Sequence, residues 1–304
     1  VLFRSTSRYL CSACMVTKPS FSDWLLLLLL ALIWGSSFIL MKKGLEVFLP
    51  EQVAALRIVI TAIIMLPFLL IRRKEIRKEK VKYIALQGIF GNFIPAFLFT
   101  IAQQYIDSSL AGILNSLSPV FVLLLGILFF STGYTWLKVT GMMVAFSGSV
   151  LLLFFQDVHS TTTNGMFGWL IVLATLCYGI SANIIKRHLA DVVPITINAV
   201  AFSMMLIPAA VILLLTDLPL AFSVGPDAYV ALGYVATLGI VGSGLASIIY
   251  FRLIHNTTAL FASSVTYLVP VVALFWGFVA GEPIGLYDYA GMALILCGVY
   301  LVGK

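Results

Sequence analysis

Apolar residues in this chain gather into ten long runs, near residues 24–41, 52–71, 83–102, 108–130, 135–154, 166–186, 195–216, 228–250, 257–280 and 286–302. Charges or clusters of Pro, Gly and Asn close each run. The runs hold roughly 17–24 residues, and at about 1.5 Å per residue a helix of that length crosses a hydrocarbon core of about 30 Å. Most connections are shorter than ten residues, so a polar side chain inside a run must face other helices or a cavity rather than lipid. The pattern predicts an all-α integral membrane protein with ten transmembrane helices, numbered here as spans 1 to 10.

Composition agrees with that solvent. Of 304 residues, 62% are apolar and 10% charged, against about 45–50% and about 25% in an ordinary soluble domain. The formal charge of +6 would suit nucleic acid only on a water-soluble fold with a basic face, and too few polar residues exist to build one. No nucleic-acid partner is expected; the expected partners are a bilayer and a small-molecule substrate. If the N-terminus is cytoplasmic, fifteen of the 18 basic residues fall inside, among them Arg72, Arg73, Lys74, Arg77, Lys78, Lys80 and Lys82. The excess of Lys and Arg therefore predicts a multi-pass protein of a bacterial-type inner (plasma) membrane, with N- and C-termini cytoplasmic and the His159–Asn164 loop outside. Lys42 and Lys43 are left on the outer side, and Arg57 lies within span 2. The acids Glu46, Glu51, Asp107, Asp157, Asp217, Asp227, Glu282 and Asp288 also sort outward.

The stretch before span 1 lacks the apolar core of a signal peptide. Met15 is the first methionine, and residues 1–14 are expected to be foreign to the native chain, within a cytoplasmic tail of residues 1–22. Cys11 and Cys14 form a lone CxxC without a second ligand pair, so no metal and no cofactor are expected. Cys177 and Cys297 fall within spans and suit small packing positions.

One segment recurs. LIWGSSFILMKK, residues 32–43, meets LCYGISANIIKR, residues 176–187, at a separation of 144: Gly35 falls on Gly179, Ser37 on Ser181, Lys42 on Lys186, Lys43 on Arg187, and beyond them Pro50 on Pro194. Pro119 and Gly126 meet Pro270 and Gly277 at 151, and Gly141 and Gly148 meet Gly291 and Gly298 at 150. Two copies of a five-helix unit explain the match. Because five is odd, the second copy enters the membrane from the opposite side, which predicts two inverted repeats, a frame suited to alternating access around a site near the midplane.

The segment LIWGSSFILMKK, the ALRIVITA of span 2 with Arg57, NSLSPVFVLLLG in span 4 and the closing GEPIGLYDYAGMALILCGVYLV resemble, in that order, the EamA-type carriers of the drug/metabolite transporter (DMT) superfamily. The resemblance covers residues 22 to 304, with one repeat over residues 23–156 and the second over residues 165–304. It implies an inner-membrane carrier that exports small metabolites such as amino acids, with a central cavity lined by spans 1, 3, 4, 6, 8 and 9. Two departures stand out. The Gly-Glu pair that ends the fourth helix of each half is present as Gly281 and Glu282, but Ser131 and Thr132 replace it in the first half, and Ala201 stands opposite Arg57.

The residues support a cavity in those spans independently. The expected substrate-binding set is Trp34, Ser37, Asn92, Asn115, Ser118, Tyr178, Asn183, Tyr250 and Tyr267. A packing role stands beside each: serines in spans commonly bond the carbonyl one turn back, buried amides need partners of any kind, and Trp34 and Tyr178 serve equally as cavity walls or as bulky fillers. Pro119 and Pro270 each remove a backbone donor and predict matched helix kinks. Arg57 either meets a substrate carboxylate or pins span 2 to neighbouring carbonyls, and the resemblance, which sets that helix toward the outside, favours the pin.

An intramembrane enzyme would need paired carboxylates, or histidine beside a nucleophile, within the spans; His159, His188 and His255 all fall at span ends or in loops. The chain is not expected to be an enzyme. All twelve acids lie in loops, tails or span ends, so cationic drugs and a proton-bearing midplane carboxylate fit poorly. Neutral or zwitterionic metabolites fit best, amino acids first, carried by a monomer. A proton-coupled multidrug or metabolite exporter, a channel-like facilitator and a dimer are the alternatives.

Overall fold

The computed structural model describes residues 20–72, 75–130, 135–155, 165–223, 225–256, 265–282 and 284–303. Every regular element among the described residues is helical: α1 Phe21–Leu45, α2 Pro50–Arg72, α3 Lys78–Gly88, α4 Ile94–Ala102, α5 Ser108–Asn115, α6 Ser118–Phe130, α7 Trp136–Phe155, α8 Gly168–His188, α9 Pro194–Leu215, α10 Leu218–Phe222, α11 Asp227–Thr237, α12 Ala246–Asn256, α13 Val265–Val279 and α14 Leu286–Gly303. Among the described residues, seven helical stretches are long and apolar enough to cross a membrane, and Trp136–Leu151, Leu268–Val279 and Leu286–Leu301 are shorter apolar helices. Large apolar side chains cover the outside: Ile207 is 71% exposed, Phe278 74% and Leu214 84%. Water would not tolerate that surface, and lipid does.

Local chemistry explains the ends. Ser20 accepts a hydrogen bond from the Asp23 amide while the Asp23 carboxylate accepts one from the Ser20 amide, so two orphan donors at the start of α1 are met reciprocally. Spans 3 and 8 are interrupted where the ladder widens to π-helix, at Ile89–Phe93 between α3 and α4 and at Leu238–Leu245 between α11 and α12. Neither widening was legible in the apolar pattern.

The two prolines differ from the matched kinks that sequence predicts. Span 4 stops at Asn115 and restarts at Ser118, which makes Pro119 the second residue of α6, where its missing N–H costs nothing. Pro270 instead lies inside the continuous α13.

Helices pair in a crossed pattern. α1 packs on α13 and α8 on α6; α2 packs along α9, and α7 along α14. α2 and α9, which have no glycine, meet through small alanines such as Ala54, Ala55, Ala62 and Ala209; glycines make the other close contacts, and they recur at matched positions. A side-chain carbon at Gly35 would lie 2.5 Å from Val272 Cβ, and one at Gly179 would lie 2.9 Å from the Phe121 backbone, Phe121 and Val272 being 151 apart. Gly91 faces the Ser181 hydroxyl and Gly242 that of Ser37; Gly88 faces Ala201 and Gly239 the Arg57 carbonyl. Between α7 and α14 the match is mutual, with Gly148 against the Gly291 carbonyl and Gly298 against that of Gly141. Apolar burial does not drive one helix onto another in lipid, so these close approaches, with the dispersion contacts they permit, hold the bundle.

A carbon added at Gly298 would stand 2.4 Å from the Ala145 nitrogen, a backbone atom that cannot turn aside. Gly298→Ala should therefore cost about 1–3 kcal/mol and lower the melting temperature in detergent. Gly233→Ala, with nothing within 4 Å of the new carbon, should leave stability unchanged or raise it by up to about 1 kcal/mol. Equal effects of the two would mean that α7 and α14 do not depend on this close approach.

Candidate functional site

The centre of the bundle collects polar and aromatic side chains around the π segment of span 8. A widened turn frees carbonyls from the ladder, and here neighbours take them. Trp34 donates its indole N–H to the Gly242 carbonyl at 3.1 Å, and Thr61 donates to the Gly239 carbonyl at 3.0 Å. Arg57 donates from Nε to the Ser243 hydroxyl at 2.9 Å. Trp34 also packs against Tyr250, with ring centroids 5.3 Å apart. On the other side Tyr178 stacks on Phe99 at 6.1 Å, and Phe99 meets Phe38 at 5.9 Å.

Trp34, Ser37, Arg57, Asn92, Asn115, Tyr178 and Tyr250 are all half-buried. Ser37 bonds back to the Ile33 carbonyl at 2.9 Å and Ser118 to that of Asn115 at 2.7 Å, as span serines commonly do. Asn183 is buried and spends both amide protons on carbonyls, Val122 in α6 and Gly179 in its own helix, each at 2.9 Å. It therefore ties span 6 to span 4 and has no donor left for a ligand. The Tyr267 side chain and the His159–Asn164 loop lie outside the described residues.

Span 3 differs. Asn92 Nδ2 in its π segment and Gln87 Oε1 one turn earlier are buried without a hydrogen-bond partner, as is Gln103 Oε1, whose amide nitrogen donates to the Phe38 carbonyl at 3.1 Å. Unmet polar groups in a dry interior are costly and therefore rare. Phe99, Gln87 and Gln103 were not expected in the set; glutamine in an apolar run was the available signal.

A second arrangement closes the end of the bundle where α1 finishes. α13 stops on a left-handed Gly281 with φ of +76°, and the Glu282 amide reaches back to the Gly277 carbonyl at 2.9 Å, the usual geometry of a glycine stop. That turn throws Glu282 onto the start of α5. There Oε1 accepts from the Ser108 amide at 2.9 Å and from its hydroxyl, and Oε2 accepts from the Ser109 amide at 3.0 Å and its hydroxyl at 2.7 Å. Lys42 bridges to Asp107 at 2.8 Å and to Glu282 at 3.3 Å. A cavity of about 240 Å³ borders Lys42, Asp107 and Glu282. Lys42, one of the two basic residues that charge sorting leaves on the outer side, thus contacts two carboxylates. At the opposite end Lys80 bridges to Asp191 at 2.7 Å, and Tyr83 stacks on His188 at 4.0 Å.

Burial pushes the Glu282 carboxyl up, but the Ser108 hydroxyl, the Lys42 charge and the Ser109 donors outweigh it and hold the group below its ordinary 4.5. A carboxyl held low lends stability that is complete above its ordinary value and lost as pH falls through the lower folded one. In melting curves between pH 7 and pH 3, Glu282→Gln should cost about 2 kcal/mol at neutral pH and flatten the loss below about pH 4.5. An acid slope as steep as that of the parent chain would remove Glu282 from the clasp.

Comparison with known proteins adds lineage. The model of the EamA-like transporter family matches this chain twice, over residues 23–154 and 166–304. An "Uncharacterized transporter" of Archaeoglobus fulgidus is 28% identical over 281 residues, covering 92% of this chain and 98% of that one. The "Uncharacterized transporter YoaV" of Bacillus subtilis is 27% identical over 89% of this chain and 92% of its own. The "Uncharacterized inner membrane transporter YedA" of Escherichia coli is 24% identical over 90% of this chain and 88% of its own. One protein of known crystal structure superposes with a TM-score of 0.61 at 20% identity, over 92% of this chain and 96% of that one, a likeness of fold.

Proposed function

The chain belongs to the EamA-like transporter family, and we propose that it is a secondary carrier exporting small neutral or zwitterionic metabolites, amino acids first, across an inner membrane by alternating access. The frame of this reading is ten spans in two inverted halves, residues 23–156 and 165–304. The observation that carries it is the crossed glycine packing, in which contacts of one half have counterparts at matched positions of the other: Gly35 on Val272 with Gly179 on Phe121, and Gly91 on Ser181 with Gly242 on Ser37. Two halves built alike can exchange arrangements, so that a site between them opens first to one face and then to the other. Half-buried Trp34, Tyr178 and Tyr250 supply apolar walls there, and Asn92 and Asn115 supply amide groups.

The clasp of Lys42, Asp107 and Glu282 acts as the closed gate at its end and opens once in each cycle. It is one-sided, since the residues matched to Gly281 and Glu282 are not Gly-Glu. Glu282 is ionised at neutral pH and held by four donors besides Lys42, which favours weak or no proton coupling.

Orientation has a direct check. With both termini cytoplasmic, an impermeant thiol reagent added outside should label Leu49→Cys, at the exposed α1–α2 turn, and spare the exposed Glu79→Cys. The reverse pattern would invert the topology.

Transport itself is checked with purified protein in liposomes, comparing a set of neutral amino acids with a quaternary ammonium dye, with and without a pH gradient. Saturable uptake of neutral amino acids, accelerated by unlabelled amino acid inside the vesicle and indifferent to the gradient, is the expected result. Gradient-driven dye movement without amino-acid flux would make the chain a proton-coupled drug exporter instead.

A further inference from the structure

We infer that Arg57 is the carboxylate-binding group of the central site, and that the transported solute carries a single carboxylate. This rests on the carrier reading above. Arg57 stands seven residues into α2, about 10 Å along the helix from Pro50, and is half-buried among spans 2 and 8. Of its five N–H donors the structure uses one, Nε to the Ser243 hydroxyl. Among the described residues the two terminal nitrogens have no hydrogen-bond partner, and no carboxylate pairs with the guanidinium.

A residue that served only to pin span 2 would spend its donors on carbonyls. Packing does not require an arginine either. At the matched joint of the other half, Ala201 lies against Gly88 just as the Arg57 backbone lies against Gly239. The charge is therefore extra to the joint, and a charge inside a membrane is expensive without a partner.

What would complete it is a planar anion that accepts two parallel N–H bonds, and a carboxylate has that geometry. Charge count narrows the class. Lys42 is spent on Asp107 and Glu282 and Lys80 on Asp191, so Arg57 brings one positive charge to the centre, and one guanidinium balances one negative charge, not the two of a phosphate monoester. The aromatic neighbours Trp34, Tyr250 and Tyr178 suit an apolar tail on that acid.

The test measures binding of three isosteres to the purified full-length chain by scintillation proximity or calorimetry, at constant chloride: leucine, leucinamide and 4-methylpentanoate. These share the side chain and differ in carboxylate and amine. Leucine and 4-methylpentanoate should bind the parent chain at least tenfold more tightly than leucinamide. Arg57→Gln should abolish that preference, weakening the two carboxylates tenfold or more while leaving leucinamide unchanged, and Arg57→Lys should recover part of it as a point charge. A merely structural arginine would weaken all three probes alike in Arg57→Gln, and that result overturns the inference. So does leucinamide binding the parent as tightly as leucine, or neither carboxylate binding at all. Binding of 4-methylpentanoate without leucine would keep Arg57 as the carboxylate group while removing amino acids as the solute class.

Discussion

Inside a bilayer no water is available to satisfy a polar group, and apolar burial gives a helix no reason to prefer another helix over lipid. The bundle answers both conditions with small residues and internal partners. Gly35, Gly179, Gly148 and Gly298 let backbones approach to distances that a single added carbon would forbid. Ser37 and Thr175 fold their hydroxyls onto carbonyls of their own helices, and Ser118 onto the Asn115 carbonyl that ends α5. Against that saturated background the exceptions stand out: Asn92, Gln87 and Gln103 have buried atoms without partners, and Arg57 has donors to spare. A structure that leaves so few polar groups unspent keeps those few where a solute is expected to meet them.

Close approach also decides where the site is. The π segments of spans 3 and 8 sit against Ser181 and Ser37 through Gly91 and Gly242, so each widened turn is wedged against the first helix of the opposite half. In span 8, Trp34 and Thr61 donate to carbonyls of the widened turn, and Arg57 donates to the Ser243 hydroxyl. Asn92 Nδ2 in span 3 has no such partner. The chemistry of the centre is therefore unequal on its two sides although its backbone is built alike.

Electrostatics separates the halves further. Lys42 between two carboxylates, with Glu282 capping the first turn of α5, gathers two negative charges, a positive charge and a helix start into one contact. A glycine in the left-handed conformation is what aims Glu282 there, which gives the Gly-Glu pair a mechanical meaning: the glycine ends the helix and the acid reaches across to another. In the first half Ser131 and Thr132 occupy the matched positions, so nothing in that sequence could repeat the contact.

How much was legible follows from the kind of signal each feature leaves. Long apolar runs, the 144- and 150-residue echoes and the sorting of Lys and Arg are one-dimensional records of a thickness, a duplication and a charge bias, and the helical membrane fold and the family could be read from them. The single charge at Arg57 was visible too, but its partner was not: the resemblance sets its helix toward the outside of the bundle, and the structure brings its Nε to the Ser243 hydroxyl. Asn183 and Asn92 look alike along the chain, yet one has both protons bonded and the other none, because hydrogen-bond satisfaction depends on what lies 3 Å away across the bundle. Lys42, Asp107 and Glu282 are separated by 65 and 175 residues and met only when three span ends came together. The sequence by itself determined that the chain lies in a membrane as apolar helices with few charges among them; tertiary structure alone decided which of those polar groups were spent on one another, since pairing is a property of distance, not of order along the chain.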